Sequence, residues 1–464
     1  MKRRDFTLCA SSTLAAATLH PARAAPTPDH TLLTTSLTPL GAERAGNVDG
    51  SIPAWTGGLT APPLPASHPV DVPLFTDEKP LQIISAANMA QHQNLLSPGT
   101  QAMLQTTDLR LKIYPTHRTA AAPQYVYDNT AVNLGNATLD PRGGHLGFLG
   151  AYGGVPFPII DTANPQNGGA QLIWNHLTAW NGYLRFSKFT PSFVVTSAGL
   201  ALAAATEAHS LHPYYDPNGS LITYMGYYSK SRAYYGSGTA MPADGFSQSL
   251  IWHSGNVTLW ADIEWMLEPG TGRARKAPNL AYGTPNPDTD GNAGFDEASC
   301  FYGNPSQYDW HYIGKQEMYV PYNCNAMHFS TAQDLLQPQA PNPDLVRWEK
   351  HRVWIVEASL RPGQINPLAR RRLYIDEDTW QALLGEAYDA SGTMVKHHTL
   401  YNRCIPSMPG TVTQGWAAHD LRSGNYVYSG SVNYAHFTAA EYIMTKMPPH
   451  AVFDPQEQAA MACF

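Results

Sequence analysis

Charge is scarce in this chain: Asp, Glu, Lys and Arg supply only 14% of its 464 residues, and the formal net charge is −7. So thin and slightly acidic a balance offers no electrostatic footprint for nucleic acid or for an anionic membrane surface. Long apolar runs are missing as well. No stretch beyond the N-terminal region approaches about 18 consecutive apolar residues, which predicts a soluble mature protein. Cysteine is rare at five, and no two stand in the C-x-x-C spacing of a zinc site. The chain has no G-x-S-x-G elbow, no phosphate-binding G-x-x-x-x-G-K-[ST], no G-x-G-x-x-G and no H-E-x-x-H. Tyr235-Gly236-Ser237-Gly238 reads as a turn. A fixed-period repeat is absent too, which disfavours a propeller.

What is present begins with an export signal. Lys2-Arg3-Arg4-Asp5-Phe6 sets a twin arginine before a modestly apolar run over residues 7–19, and Ala22-Arg23-Ala24 offers a cleavage site. Residues 1–24 are read as a twin-arginine leader, with a short basic secretory leader as the alternative; either predicts export to the periplasm. Cys9 lies too early for a lipoprotein anchor. Beyond it, Cys300, Cys324, Cys404 and Cys463 form an even set in an oxidising compartment, which predicts two disulfides. Cys300–Cys324 would close one loop and Cys404–Cys463 would tie down the C-terminus, although three pairings stay open. Aromatics at 11%, led by 25 Tyr and 11 Trp, favour strands and broad apolar surfaces.

Residues 256–324 organise the rest. Val257, Leu259, Ile263, Trp265 and Leu267 fall on one side of an alternating run and Asp262 and Glu264 on the other, the pattern of a half-buried strand. Glu268-Pro269-Gly270 stops it. A basic turn (Arg273, Arg275, Lys276) and an acidic excursion (Asp288, Asp290, Asp296, Glu297) follow, and a second strand returns over 310–320. Strand, charged loop and strand predict a wide antiparallel sheet with one apolar face. Upstream, residues 25–75 are rich in Pro, Gly and Thr and read as an extended lead-in to a single domain over 76–464. Thr76-Asp77-Glu78 predicts a capped helix running to residue 96, and Ser97-Pro98-Gly99 then caps a shorter helix to residue 105. A strand is expected over 109–113, a helix over 172–182, and Tyr-rich strands over 221–228 and 232–235. Runs at 347–360, 371–376, 380–388, 393–401, 414–421 and 425–431 alternate, with turns at DASG (389–392) and RSGN (422–425). Ten or more strands with few helices and no βαβ rhythm predict a mainly β fold.

Several blocks carry a family resemblance. LTPLGAERAGNVDGSIPAWTGGLTAPP (37–63), AYGGVPFPI (151–159), LIWNHLTAWNG (172–182), GRARKAPNLAYGTPNPDTDG (272–291), YDWHYIGKQEMYVPYN (308–323) and RWEKHRVWIVEASL (347–360) are the most specific. Together they resemble a large proteobacterial family of unknown function whose members are often labelled outer-membrane lipoprotein-sorting-like. The resemblance implies a LolA/LolB-like fold, an open half-barrel wrapped over helices with an apolar cavity for lipid. This chain is more than twice as long as LolA or LolB, which puts a lipoprotein cargo in doubt.

The alternating faces supply the site expectation. Trp252, Val257, Leu259, Ile263, Trp265, Trp354, Val356 and Leu360 are read as lining a concave ligand cavity, against the ordinary alternative of a packed core. Such a cavity holds its ligand by burying apolar surface, at about 25 cal/mol per Å², and needs no cofactor. Asn286, Asp288 and Asp290, with Glu297 at the twelfth position, match the spacing of a calcium loop, but Pro285 and Pro287 interrupt it. A solvated acidic turn is the expectation there. Eighteen histidines invite a metal reading, yet His176, His253, His311, His328, His351 and His419 are scattered. His397 and His398 are adjacent on a strand and point to opposite faces, so they do not chelate together.

These readings converge on a periplasmic carrier or chaperone of a hydrophobic or lipid-like ligand, without enzymatic activity. The resemblance implies an inner-membrane efflux-type transporter and an outer-membrane protein as partners. Two alternatives stand beside it. One is a metal-assisted hydrolase, favoured by His and Asp groups converging in a cleft. The other is an envelope scaffold without a ligand, favoured by a filled sheet interior.

Overall fold

The computed structural model of the chain describes residues 29–226, 231–241, 245–255, 263–268, 273–276, 282–444 and 446. The leader and Cys463 lie outside them. The first strands are β1 (Gln82–Ile84), β2 (Leu111–Ile113), β3 (Thr138–Leu139), β4 (Phe148–Leu149), β5 (Leu184–Thr196) and β6 (Gly199–Leu211). β7 (Ser231–Met241), β8 (Gly245–Gly255), β9 (Ile263–Glu268), β10 (Arg273–Lys276), β11 (Tyr308–Pro321) and β12 (Trp348–Leu360) follow. The last are β13 (Arg370–Asp376), β14 (Ala382–Tyr388), β15 (Met394–Ile405), β16 (Gly410–Asp420), β17 (Tyr426–Gly430) and β18 (Glu441–Ile443). The helices are α1 (Pro98–Thr106), α2 (Gln124–Asn136), α3 (Pro165–Leu177), α4 (Leu221–Gly226), α5 (Asn325–Phe329) and α6 (Ala332–Leu335).

Among the described residues, sixteen strands join one sheet in the order β1-β2-β12-β13-β14-β15-β16-β17-β5-β6-β7-β8-β9-β10, with β11 on β12 and β18 on β5. Its ends do not meet, so the fold is mainly β, an unclosed half-barrel type of sheet with few helices laid on it. Neighbours are antiparallel apart from one parallel bridge between β2 and β12. Among the described residues no helix is long and apolar enough to cross a membrane.

Cross-strand register places Tyr312, Val356, Leu373, Gly385, His398, Ala418 and Val427 in one row across β11 to β17. Helix α3 and the segment 282–307 lie on that face. Gly169 permits the approach, since a Cβ there would stand 2.4 Å from the backbone of Trp310 and His311. Phe301 meets Trp310 edge-on with ring centroids 5.0 Å apart. The opposite face carries the row Glu357, Arg372, Glu386, His397, His419 and Tyr426. Helix α1 lies there, its Gly99 N–H donating to Glu386 Oε1 at 2.8 Å. Because both faces are covered, all seven residues of β14 are buried. The expected sheet with one apolar and one wet face, the usual antiparallel arrangement, is therefore corrected for these central strands.

Local expectations fare unevenly. Ser97 caps α1 as its sequence predicts, its Oγ accepting the Thr100 N–H at 3.1 Å. Residues 82–84 form an edge strand instead of a helix, because Ile84 pairs with Leu111 and only short 3-10 turns follow at Met89–Gln91 and Gln93–Leu95. The run beginning at Leu221 is helical (α4) and not a strand. Helix α2, composed largely of Gln, Asn, Tyr, Val and Thr, has little intrinsic helix propensity and escapes a pattern reading.

Among the described residues no predicted disulfide forms, and Cys463 lies outside them. Cys300, Cys324 and Cys404 are buried free thiols. Burial pushes the Cys324 and Cys404 thiols up to about 12, which removes the reactive thiolate. Segment 282–307 is fastened by ion pairs in place of a covalent bridge: Asp296 meets Arg371 at 2.5 Å and Glu297 meets Lys396 at 2.8 Å. The solvated acidic turn is corrected accordingly, since Asp296 and Glu297 are buried against the sheet.

Candidate functional site

Between the C-terminal end of α1, the residues entering β2 and the loop 337–343 lies an open cleft of about 820 Å³. Ala86, Ala87, Leu104, Leu109 and Ala340 give it apolar walls, and the exposed Asp108 and Arg110 contribute charge. The neighbouring edge strand and the residue before it show apolar surface as well, Ile83 being 45% and Leu81 70% exposed. Inside the fold, a second pocket beside Leu40, Ala120, Trp180, Asp378 and Trp380 measures about 10 Å³, room for one water molecule.

The expected cavity residues separate into two groups. Val257 and Leu259, and the side chains of Trp252 and Ile263, lie outside the described residues. Trp265 is half-buried on β9. Trp354, Val356 and Leu360 share the α3 face of β12. Val356 is wholly buried in the main core. Trp354 stacks parallel to Trp380 at 6.4 Å, edge-on to Tyr312 at 5.9 Å, and under the Lys315 ammonium at 4.6 Å. Leu360 packs at the core margin. None of these three borders the open cleft.

Two of the calcium-loop candidates, Asn286 and Glu297, have other partners. Asn286 Oδ1 accepts the Asp288 N–H as the cap of a short 3-10 helix, and both Glu297 oxygens are taken by Lys396 and His398. Burial opposes the charge of Glu297, but the His398 hydrogen bond and the Lys396 charge outweigh it and hold the carboxyl well below the usual range.

What sequence reading missed is a sealed polar cluster at the β12–β13 end. Glu349, His351, Asp376, Glu377 and Asp378 are each no more than a few per cent exposed. Around them stand Arg118, Arg347, Arg352 and Lys315. The turn that places Asp376 and Asp378 is tight: Thr379 donates its N–H and O–H to Asp376 Oδ2, and Trp380 adopts a left-handed φ of 60°. His351 stacks on Tyr322 at 3.8 Å. Among the described residues, His351, Asp376 and Asp378 are the group of potential metal donors within 4.8 Å of one another. The consecutive carboxylates of YIDED and the charges on both faces of RWEKHR were the available signals, but nothing in either shows that 25 residues of separation close in space. None of these five residues lines the open cleft, and Asp378 borders the inner pocket of about 10 Å³.

The sequence matches, over residues 83–457, the family described as Protein of unknown function (DUF1329). This chain belongs to the DUF1329 family. A curated relative, Uncharacterized protein PA3922 of Pseudomonas aeruginosa, is 33% identical over 418 residues, covering 86% of this chain and 87% of its own. Among solved structures, a Vibrio parahaemolyticus domain described as outer membrane lipoprotein-sorting covers 62% of this DUF1329 chain and 97% of its own, at 10% identity and a TM-score of 0.41. A DUF1329 family protein from Desulfovibrio piger covers 63% of this chain and 98% of its own, at 13% identity and a TM-score of 0.40. The LolA superfamily protein NE2245 from Nitrosomonas europaea covers 62% and 97%, at 10% identity and a TM-score of 0.34.

Proposed function

We propose that this DUF1329 protein is an exported, periplasmic carrier that binds one amphiphilic, lipid-like molecule in the open cleft beside α1. The observation that carries the reading is the cleft's size and lining. About 820 Å³ falls within the range of single-ligand sites, with apolar walls from Ala86, Ala87, Leu104 and Leu109 and charge from Asp108 and Arg110 for a headgroup. An acyl chain burying about 200 Å² there would gain roughly 5 kcal/mol. An efflux-type inner-membrane transporter and an outer-membrane protein are, in this proposal, the donor and acceptor of the ligand. The earlier cavity residues on β8 and β9 offer a second place for the same ligand.

A fluorescent fatty acyl probe separates the possibilities. Ala87 is exposed, so Ala87→Glu should leave the melting temperature unchanged and weaken probe binding at least tenfold. Unchanged binding by that variant, with binding lost in Ile263→Glu, would move the site to β9. A scaffold without ligand is the second reading, favoured by the packing of both faces of β12–β16. Absence of saturable probe binding by the wild-type chain would leave that reading in place of the carrier.

A further inference from the structure

Within the sealed cluster one carboxylate lacks the cation that each neighbour has. Glu349 meets Arg347 at 2.5 Å and His351 at 3.0 Å. Glu377 meets Lys315 at 2.5 Å and Arg352 at 3.1 Å. Asp378 takes Nε and Nη2 of Arg118 at 2.8 and 2.7 Å. Asp376 has only Thr379, on Oδ2. Its Oδ1 has no partner although the residue is wholly buried. The phenol oxygen of Tyr322, equally buried, also has none.

His351 faces that free oxygen. Its Nδ1 stands 3.7 Å from Asp376 Oδ1, too long for a hydrogen bond. Its Nε2 is 3.0 Å from Glu349 Oε2. In the neutral ring Nε2–H donates to Glu349, and the Nδ1 lone pair then points at a carboxylate lone pair. Two such lone pairs repel unless a proton, a water molecule or a metal ion stands between them. The spacing suits a metal ion: ligands bound at about 2.1 Å to a tetrahedral ion stand about 3.4 Å apart. A carboxylate holding the far nitrogen of a metal-bound imidazole is also the common arrangement around such ions.

We propose that His351 Nδ1, Asp376 and Asp378 bind one divalent transition-metal ion, of the zinc or manganese kind that accepts mixed nitrogen and oxygen donors. Asp378 serves through lone pairs that Arg118 leaves free, since a carboxylate has about four acceptor positions. The ion is structural. It joins β12 to the turn after β13, and because the site is sealed it enters as the chain folds.

The test uses the full chain expressed in medium supplemented in turn with zinc, manganese and iron salts, desalted, and assayed by plasma mass spectrometry. Wild type should retain about one ion per chain with one of these metals. Asp376→Asn, which preserves shape and removes the charge, should retain none while still melting cooperatively; His351→Gln should do the same. Asp290→Asn, in the exposed acidic loop, should retain the ion. Equal retention by wild type and Asp376→Asn would overturn the proposal. So would a metal-free wild type in all three media, which would leave a protonated His351 as the cation of the cluster.

Discussion

His397 and His398 are neighbours on β15, both almost wholly buried, and the strand turns them to opposite faces of the sheet. On the α3 face, His398 Nε2 meets Glu297 at 2.7 Å, and Lys396 balances the carboxylate. On the α1 face, His397 has an unpartnered Nδ1, and the facing His419 has no partner on either ring nitrogen. Burial, then the nearby His419, takes His397 down to about 3, and burial takes His419 to about 3 as well. One face is fastened by an anion that a neutral imidazole can serve. The other holds imidazoles that simply must not charge. Equal burial thus produces a clasp on one side and an acid-sensitive seam on the other.

Breaking the clasp should have the largest effect. Glu297→Ala leaves Lys396 and His398 without their partner, and truncating one side of a buried ion pair costs about 3–5 kcal/mol. Urea denaturation should show that loss. Hydrogen exchange should accelerate across residues 290–300, and the Cys300 thiol should become reactive to a disulfide reagent. Protection unchanged in that segment would mean that the apolar contacts of Phe301 hold it alone.

The seam predicts the next effect. Below pH 6.5 an unfolded histidine takes a proton that folded His397 and His419 refuse, so the unfolded state binds more protons and stability falls as pH falls. Between pH 6.5 and 4 the loss should reach up to about 3 kcal/mol for one such histidine, and less than twice that for the interacting pair. His419→Gln should flatten the dependence of denaturation midpoint on pH in this window. An equally steep profile in that variant would place the acid sensitivity elsewhere.

Steric room also differs between the faces. A Cβ on Gly99 would lie 2.4 Å from His397 Nδ1, whereas one on Gly385 meets nothing nearer than Leu373 at 3.2 Å. Gly99→Ala should therefore cost about 1–3 kcal/mol and Gly385→Ala less, read by thermal melting of the two variants side by side. Smallest of all is the effect of reductant. With Cys300, Cys324 and Cys404 free, dithiothreitol should leave the melting temperature within about 1 °C, and these thiols should titrate only after unfolding.

The residues that act through their near neighbours were legible in the sequence. Alternation in 347–360 and 393–401 announces β12 and β15, the DASG turn at 389–392 joins β14 to β15, and Ser97-Pro98-Gly99 starts α1. Backbone geometry and local hydrogen bonding decide such features, so a short window contains their cause. Opposite orientation of His397 and His398 follows from the same two-residue period. Tertiary structure alone decided what covers each face. Whether Glu297 lies in water or under Lys396, whether Cys300 finds a partner, and whether His351 meets Asp376 all depend on segments brought together from far along the chain. Desolvation sets those outcomes, and desolvation belongs to the assembled sheet and its covering layers, not to any stretch that can be read by itself.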